Sequence, residues 1–393
     1  MQIDFFRQKY YSFYIKFGGE KVENPFKYGD PVEGSFRLER KALKKTLIEF
    51  LKNRIHTVLI GPRRFGKTSF ILDLLQTLNS EKFQTIYIDV LNVTSHRDFL
   101  QQLLIGIESH KSTSRKFLDP LKSHIKHIKP EISLDPLPKF SLLISENPIT
   151  ETDVKALILK TLDSLQTLGK NVCIALDEFQ AIGELEDKGW LEATLRTKMQ
   201  HTKNISFIFS GSRHAIIHDM FNNKNKPFYR SCQLIDFPPL DIEFSDWILK
   251  KLEKAGFSSN LDTIHYLRKI VDDSPHYVQM ACFHLVASNH KHITKTTIDT
   301  ILKNITSQNN YPYQMLLNML SPTQKRVLRM AAKEKEGLFS KANLEKYEIK
   351  SPAHISQAIN SLIEKQLIEQ GLKKGAITFD DPLFAIWLES LPI

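Results

Sequence analysis

The chain has 393 residues, 41% of them hydrophobic and 25% charged, with 54 Lys and Arg against 44 Asp and Glu for a net charge of +10. This is ordinary usage for folded domains, two or three of which fit the length, and it excludes a disordered or fibrous chain. No run approaches the ~18 consecutive apolar residues of a membrane-spanning helix, the clean stretches being short ones such as Val172 to Leu176.

In chain order, the first segment is dense in aromatic residues (Phe5, Phe6, Tyr10, Tyr11, Phe13, Tyr14, Phe17), with Phe6, Tyr10, Phe13 and Phe17 at helical spacing. Such a stripe docks on its own domain, or else binds a partner or a membrane surface. Asp4, Arg7, Lys9 and Lys16 interrupt it, so it lacks the apolar core of a signal peptide and a cytoplasmic location is expected. Ile55 to Gly61 reads as a buried strand ending in glycine, followed by a loop and a helical run from Ser69 to Leu78. Strands at Thr85 to Val90, Asn171 to Leu176, Ile205 to Ser210 and Cys232 to Phe237 alternate with helices at His96 to Ile107, Ile149 to Leu168, Trp190 to Gln200 and Ala215 to Phe221. That alternation predicts an α/β fold, a parallel sheet covered by helices on both faces.

Between Lys111 and Asn147 lie four prolines, and from Lys111 to Lys129 a basic run (Lys111, Arg115, Lys116, Lys122, Lys126, Lys129) against one acid, Asp119, which reads as an insertion suited to polyanions. After Pro238-Pro239 the pattern turns helical: Phe244 to Ala255, Leu261 to Val271, Tyr277 to Ser288 and Lys295 to Leu302. Three short helices follow (Thr323 to Lys333, Lys341 to Tyr347, Pro352 to Lys365), then a β-wing from Leu367 to Phe379 turning at Gly371 to Gly375, the pattern of a winged helix-turn-helix. Cys173, Cys232 and Cys282 lie far apart in apolar surroundings, as reduced core thiols do, and no Cys/His spacing suits zinc.

The chemistry concentrates on three strand ends. Gly61-Pro62-Arg63-Arg64-Phe65-Gly66-Lys67-Thr68 fits GxxxxGK[ST] between a strand and a helix. In that setting the backbone N–H groups of the loop and of Ser69 cradle phosphates, Lys67 reaches the β- and γ-phosphates of ATP, and the Thr68 hydroxyl ligates Mg²⁺. Val172 to Glu178 is an apolar strand ending in two acids, Asp177 for the metal's water shell and Glu178 for the attacking water. Phe207 to Arg213 ends in Ser210, Ser212 and Arg213; either serine is a candidate sensor of the γ-phosphate. Arg213 and Arg230 are candidates for stabilising transition-state charge, and neither marks itself as an inter-subunit finger, so oligomeric state stays open.

The chain resembles the archaeal-type ATPase family of the STAND/AAA+ superfamily from about Asn24 to Leu391. The carriers are Asn24-Pro25-Phe26 with Gly29-Asp30-Pro31-Val32, GPRRFGKTS (61–69), ALDEFQ (175–180), FSGSRH (209–214), PFYRS (227–231), SPHYVQ (274–279) and DDPLFAIWL (380–388). The resemblance implies a P-loop NTPase of ASCE/AAA+-like type, with a further strand between the P-loop strand and the acidic strand, a helical lid and a C-terminal winged helix. It implies domains at 24–240 (with the insertion at 111–147), 241–319 and 320–393, behind an aromatic extension at 1–23. It also implies that Pro275 packs near the nucleotide base. Two positions depart from the family: Asp273-Ser274-Pro275 stands for Gly-x-Pro, and Phe36-Arg37-Leu38-Glu39-Arg40 for Phe-x-x-Arg-Glu.

Three functions compete. One is a nucleotide-dependent switch whose winged helix or insertion reports to a protein partner. Another is an ATP-dependent DNA-binding protein, for which the winged helix and basic charge speak. From Leu320 to Ile393, however, eleven basic residues nearly balance nine acidic ones, and the candidate recognition helix offers Gln357, Asn360 and Lys365 but no arginine. A non-hydrolysing scaffold is the third; it is expected to have lost Lys67, Asp177 or Glu178, all of which are present.

Overall fold

A computed structural model describes residues 14–17, 20–108, 150–166, 171–334, 337–370 and 377–391. The basic insertion, the aromatic segment before residue 14 and the turn of the wing lie outside the described residues. The chain forms two compact units, Glu39–Pro238 and a second that joins Met1–Leu38 to Pro239–Ile393.

At the start, β1 (Tyr14–Phe17) and β2 (Glu20–Glu23) pair antiparallel with Phe17 opposite Glu20. The helical spacing that included Phe17 therefore ends in a strand at Tyr14–Phe17.

The Glu39–Pro238 unit is built on β3 (Thr57–Ile60), β4 (Gln84–Asp89), β5 (Val172–Asp177), β6 (Ile205–Gly211) and β7 (Gln233–Asp236). All pair in parallel, in the order β4-β5-β6-β3-β7, so β6 is the strand inserted between the loop strand and the acidic strand. Side chains alternate across such a sheet. Leu59, Cys173, Ala175 and Ile208 face α1 (Lys41–Lys52) and α2 (Lys67–Ser80). Val58, Ile60, Ile174, Leu176, Phe207 and Phe209 face α3 (His96–Glu108), α4 (Glu151–Gln166), α5 (Trp190–His201) and α6 (His214–Asn222). Both faces are covered, which is why β5 and β6 are buried along their whole length and read as unbroken apolar runs.

One acid in this core has a pH consequence. Glu192 on α5 is buried, its nearest cation is Lys226 at 4.0 Å, and its carboxyl is pushed up chiefly by burial, with Asp187 and Asp219 adding to the rise and Lys226 opposing it. A raised folded-state value means that the native form holds the proton more tightly than the unfolded chain. The ionised group therefore costs stability as pH climbs above the ordinary glutamate range. Glu192→Gln is expected to raise the melting temperature at pH 8 by about 2 °C, on the order of 1 kcal/mol, and to give no gain near pH 4. Thermal unfolding of both proteins across that range checks the sign.

The second unit contains α7 (Ile242–Lys254), α8 (Leu261–Ile270), α9 (Pro275–Ala287), α10 (Lys295–Gln308) and α11 (Asn310–Asn318). The winged helix follows: α12 (Pro322–Lys333), α13 (Lys341–Lys346), α14 (Pro352–Glu364), the antiparallel pair β8 (Ile368–Gln370) and β9 (Ile377–Phe379), and α15 (Pro382–Ser390). One apolar cluster from Phe26 to Leu388 unites all of this. Residues 24–38 pack here: Asn24 Nδ2 donates to the Phe283 carbonyl at 3.0 Å, and Lys251 Nζ donates to that of Pro25 at 2.7 Å. Helix α15 and its N-cap Asp381 close on α11 through Tyr313 Oη to Asp381 (2.9 Å) and Trp387 Nε1 to Asn310 (2.9 Å).

Arg268 at the end of α8 ties the beginning of this unit together. Its guanidinium forms a two-bond pair with Asp273 (2.6 and 2.9 Å) and donates to the carbonyls of Leu240 and Asp241 (2.5 and 2.7 Å) and to Ser245 Oγ (2.8 Å). Asp273 has φ +54°, the left-handed conformation that a glycine would take without strain. The departure from Gly-x-Pro thus keeps the backbone shape, and the aspartate supplies a carboxylate for Arg268 that glycine lacks.

Candidate active site

The sheet topology brings the loop after β3 and the ends of β5 and β6 to one carboxyl-terminal edge. The loop turns left-handed at Arg64 (φ +64°) and Gly66 (φ +89°), which swings the chain into α2 with the helix's first N–H groups facing the loop's hollow. Gly61 has no room for a side chain: a Cβ there would lie 2.8 Å from that of Phe237. Phe65 packs at the margin of the α1/α2 core. Lys67, buried at 4% exposure, curls back so that Nζ donates to the carbonyls of Gly61 (2.7 Å) and Pro62 (2.9 Å). Its charge is held inside the loop by these carbonyl dipoles.

Asp177 gathers donors from four parts of the fold. Oδ2 accepts from Thr68 Oγ1 (2.6 Å) and Tyr87 Oη (3.0 Å); Oδ1 accepts from the Glu178 N–H (3.1 Å) and from Ser210 Oγ. Glu178 stands at φ +56°, and its Oε2 accepts from Gln180 Nε2 (2.6 Å) and Ser212 Oγ (2.8 Å). The two candidate sensors are thereby distinguished by partner: Ser210 donates to Asp177 and Ser212 to Glu178. Ser69, next on α2, is half-buried.

Sequence reasoning passed over Tyr87, Asp89 and Gln180. Asp89 is paired in register with Asp177 across β4 and β5. Loss of solvent around its carboxyl, with Asp177 and Glu178 nearby, pushes its titration up, against the pull of the Leu91 N–H. Tyr87 is held protonated by burial and by Asp177. The parallel β4/β5 register is the signal for Asp89, which lies level with Asp177, whereas Tyr87 lies level with Ala175 and reaches Asp177 through its long side chain.

The remaining candidates are placed differently. Arg213 pairs with Glu184, and Arg230 is exposed and lies over the Tyr229 ring, 5.2 Å from its centroid. Pro275 is the buried first residue of α9 and belongs to the second unit.

The donor set fits a hard divalent cation. Thr68 spends its hydroxyl proton on Asp177, which leaves its oxygen lone pairs free, and Asp177 adds a carboxylate beside it. Among the described residues no group of three His, Cys, Asp or Glu could hold a metal alone. Magnesium suits such a site, because it takes one or two protein oxygens and completes its shell with water and phosphate.

A family model described as "AAA domain" matches residues 48–216, and one described as "Probable winged helix domain" matches 311–390. Two uncharacterised ATP-binding proteins of Methanocaldococcus jannaschii are similar in sequence: one is 29% identical over 34% of this chain and 37% of its own, the other 28% over 33% and 36%. The match thus spans little more than a third of those relatives' length. Among solved structures, the Walker-type ATPase of Pyrococcus abyssi superposes with a TM-score of 0.58 at 17% identity, over 90% of this chain and 96% of that one. The ORC2 protein of Aeropyrum pernix, in its ADPNP and ADP complexes, gives 0.53 at 12% identity over 89% and 91%. These structures share the fold of the chain, an AAA-type P-loop domain with a C-terminal winged helix domain.

Proposed function

We propose that the chain binds ATP with magnesium at the edge of β3, β5 and β6 and hydrolyses it, using the cycle as a molecular switch that the winged helix reports to a partner protein. The observation that carries this reading is the hydrogen bond from Thr68 of the loop to Asp177 of β5, which joins a phosphate cradle to an acidic strand end at 2.6 Å. The loop amides from Arg63 to Ser69 receive phosphate oxygens, Gly61 and Pro62 shape the turn before them, and Lys67 exchanges two carbonyls for the β- and γ-phosphates. Thr68 and Asp177 would hold magnesium, which would supply charge neutralisation at the phosphates. Glu178 orients a water and takes its proton as the water oxygen bonds to the γ-phosphorus, while the bridging P–O bond breaks and its electron pair leaves on ADP.

The test is ATP binding and turnover by wild type, Lys67→Ala and Glu178→Gln. Lys67→Ala is expected to lose both, and Glu178→Gln to keep binding while turnover falls by about 100-fold or more. Wild-type protein that binds ATP but shows no turnover, alone or with partners, sinks the hydrolytic reading and leaves the scaffold.

A second reading, an ATP-dependent DNA-binding protein, is favoured by one feature of the winged helix. The exposed face of α14 presents His354, Ser356, Gln357 and Asn360, hydrogen-bonding groups with no carboxylate before Glu364. Duplex DNA that stimulates turnover and shifts in mobility in a salt-sensitive manner supports this reading; no effect at low salt removes it.

A further inference from the structure

Gln180 makes no claim on attention from the motif alone, yet it is 3% exposed and its amide meets the acid two residues before it. Nε2 donates to Glu178 Oε2 at 2.6 Å and reaches Ser212 Oγ at 3.4 Å, and Ser212 itself donates to the same Oε2 at 2.8 Å. The three side chains close a ring around one oxygen of the Glu178 carboxylate, Oε2. The amide orientation follows from the chemistry, since its oxygen turned toward a carboxylate would repel it. In the observed orientation Gln180 Oε1 is buried without a hydrogen-bond partner. It is tucked against the end of β6, where a Cβ on Gly211 would come within 2.6 Å of it. A buried acceptor without a protein partner costs on the order of 1–3 kcal/mol, which the bonds of Nε2 to Glu178 and Ser212 offset.

We propose that Gln180 is a positioning residue for hydrolysis: with Ser212 it fixes Glu178 Oε2 and thereby turns Oε1 toward the attacking water. This rests on the ATPase reading above. Gly211 borders the same device, because a Cβ there would press on the Gln180 amide oxygen and, equally closely, on the Ile217 side chain. Ser212 serves both neighbours, as acceptor for Gln180 and donor for Glu178. The role is confined to Glu178, so phosphate and metal contacts made by Lys67, Thr68 and Asp177 do not depend on it.

The experiment compares Gln180→Leu and Gly211→Ala with wild type and Glu178→Gln, reading kcat, KM and binding of a fluorescent ATP analogue. Both variants are expected to lower kcat at least tenfold with KM and binding within about twofold. In the Glu178→Gln background, Gln180→Leu is expected to change the residual rate less than twofold. A loss of nucleotide binding equal to the loss of kcat, or an undiminished effect in that background, overturns the proposal. Thermal unfolding of the Gln180→Leu, Glu178→Ala and double variants gives a readout that needs no turnover: melting shifts that fail to add are expected, and strict additivity also overturns it. If wild type does not hydrolyse ATP yet the shifts are non-additive, the ring stands and the ATPase reading has failed; additive shifts in an active enzyme reject the ring alone.

Discussion

Asp177→Ala is expected to abolish magnesium-dependent ATP turnover, by three orders of magnitude or more, and to lower the melting temperature as well. The chemical loss follows from removing the only carboxylate bonded to Thr68. The stability loss follows from the donors it leaves behind. Thr68, Tyr87, Ser210 and the Glu178 N–H all converge on this one side chain, and Ser210 is fully buried. Orphaning several donors at roughly 1 kcal/mol each, less the relief of separating Asp177 from Asp89 and Glu178, comes to about 2–3 kcal/mol. Asp177→Asn is the informative companion. It keeps the shape and one acceptor oxygen, so it is expected to recover about half of the melting shift and none of the turnover. Thermal unfolding with metal-dependent phosphate release measures both, and an Asp177→Ala protein as active as wild type removes the metal assignment.

Arg268→Ala is expected to be the most destabilising single change outside the sheet unit, by about 3 kcal/mol. The guanidinium satisfies the carbonyls of Leu240 and Asp241 where the chain enters the helical unit, and it offsets the left-handed strain at Asp273 with a charge-assisted pair. Without it the Leu240 carbonyl and the Asp273 carboxylate lose this partner together, while the Asp241 carbonyl keeps the Phe244 N–H. Arg268→Lys supplies one cation but not the planar fork, so it is expected to restore less than half of the loss. Asp273→Gly removes the carboxylate and the strain at once, and is expected to cost only about 1 kcal/mol. Urea unfolding of the three variants ranks them; equal midpoints for Arg268→Ala and Asp273→Gly contradict the account.

The ranking of these residues shows what was legible in the sequence. The phosphate loop and the acidic strand declare themselves because apolar runs of strand length end in residues of specific chemistry, and β3, β4, β5, β6 and β7 all fall where such runs predict them. Helix α1 carries no comparable signal: it is lysine-rich and begins at Arg40 with no side-chain cap. Helix α11 is separated from α10 by Asn309 alone, so there is no punctuation to read, and α10 runs on to Gln308 because Ile305 extends the apolar face beyond Leu302. α15, buried at Pro382, Leu383, Phe384, Trp387 and Leu388, was visible as a motif and not as a helix, since a helix buried over much of its surface loses its amphipathic period. Within the site, Gln180 and Ser212 meet only because β5 and β6 are neighbours, and Arg213 turns to Glu184, a choice of partner that no linear pattern encodes.

The left-handed residue at the end of β5 governs how adjacent acids divide their labour. In an extended strand Asp177 and Glu178 would project to opposite faces of the sheet, one toward α2 and one toward α6. The turn at φ +56° instead lets consecutive residues work at one edge while each keeps its own serine. The aim of the second acid is thus an angular property of a single peptide unit. Lengthening or shortening the strand would not retune it, whereas a β-branched residue at 178 would twist the chain out of line before any chemistry was altered.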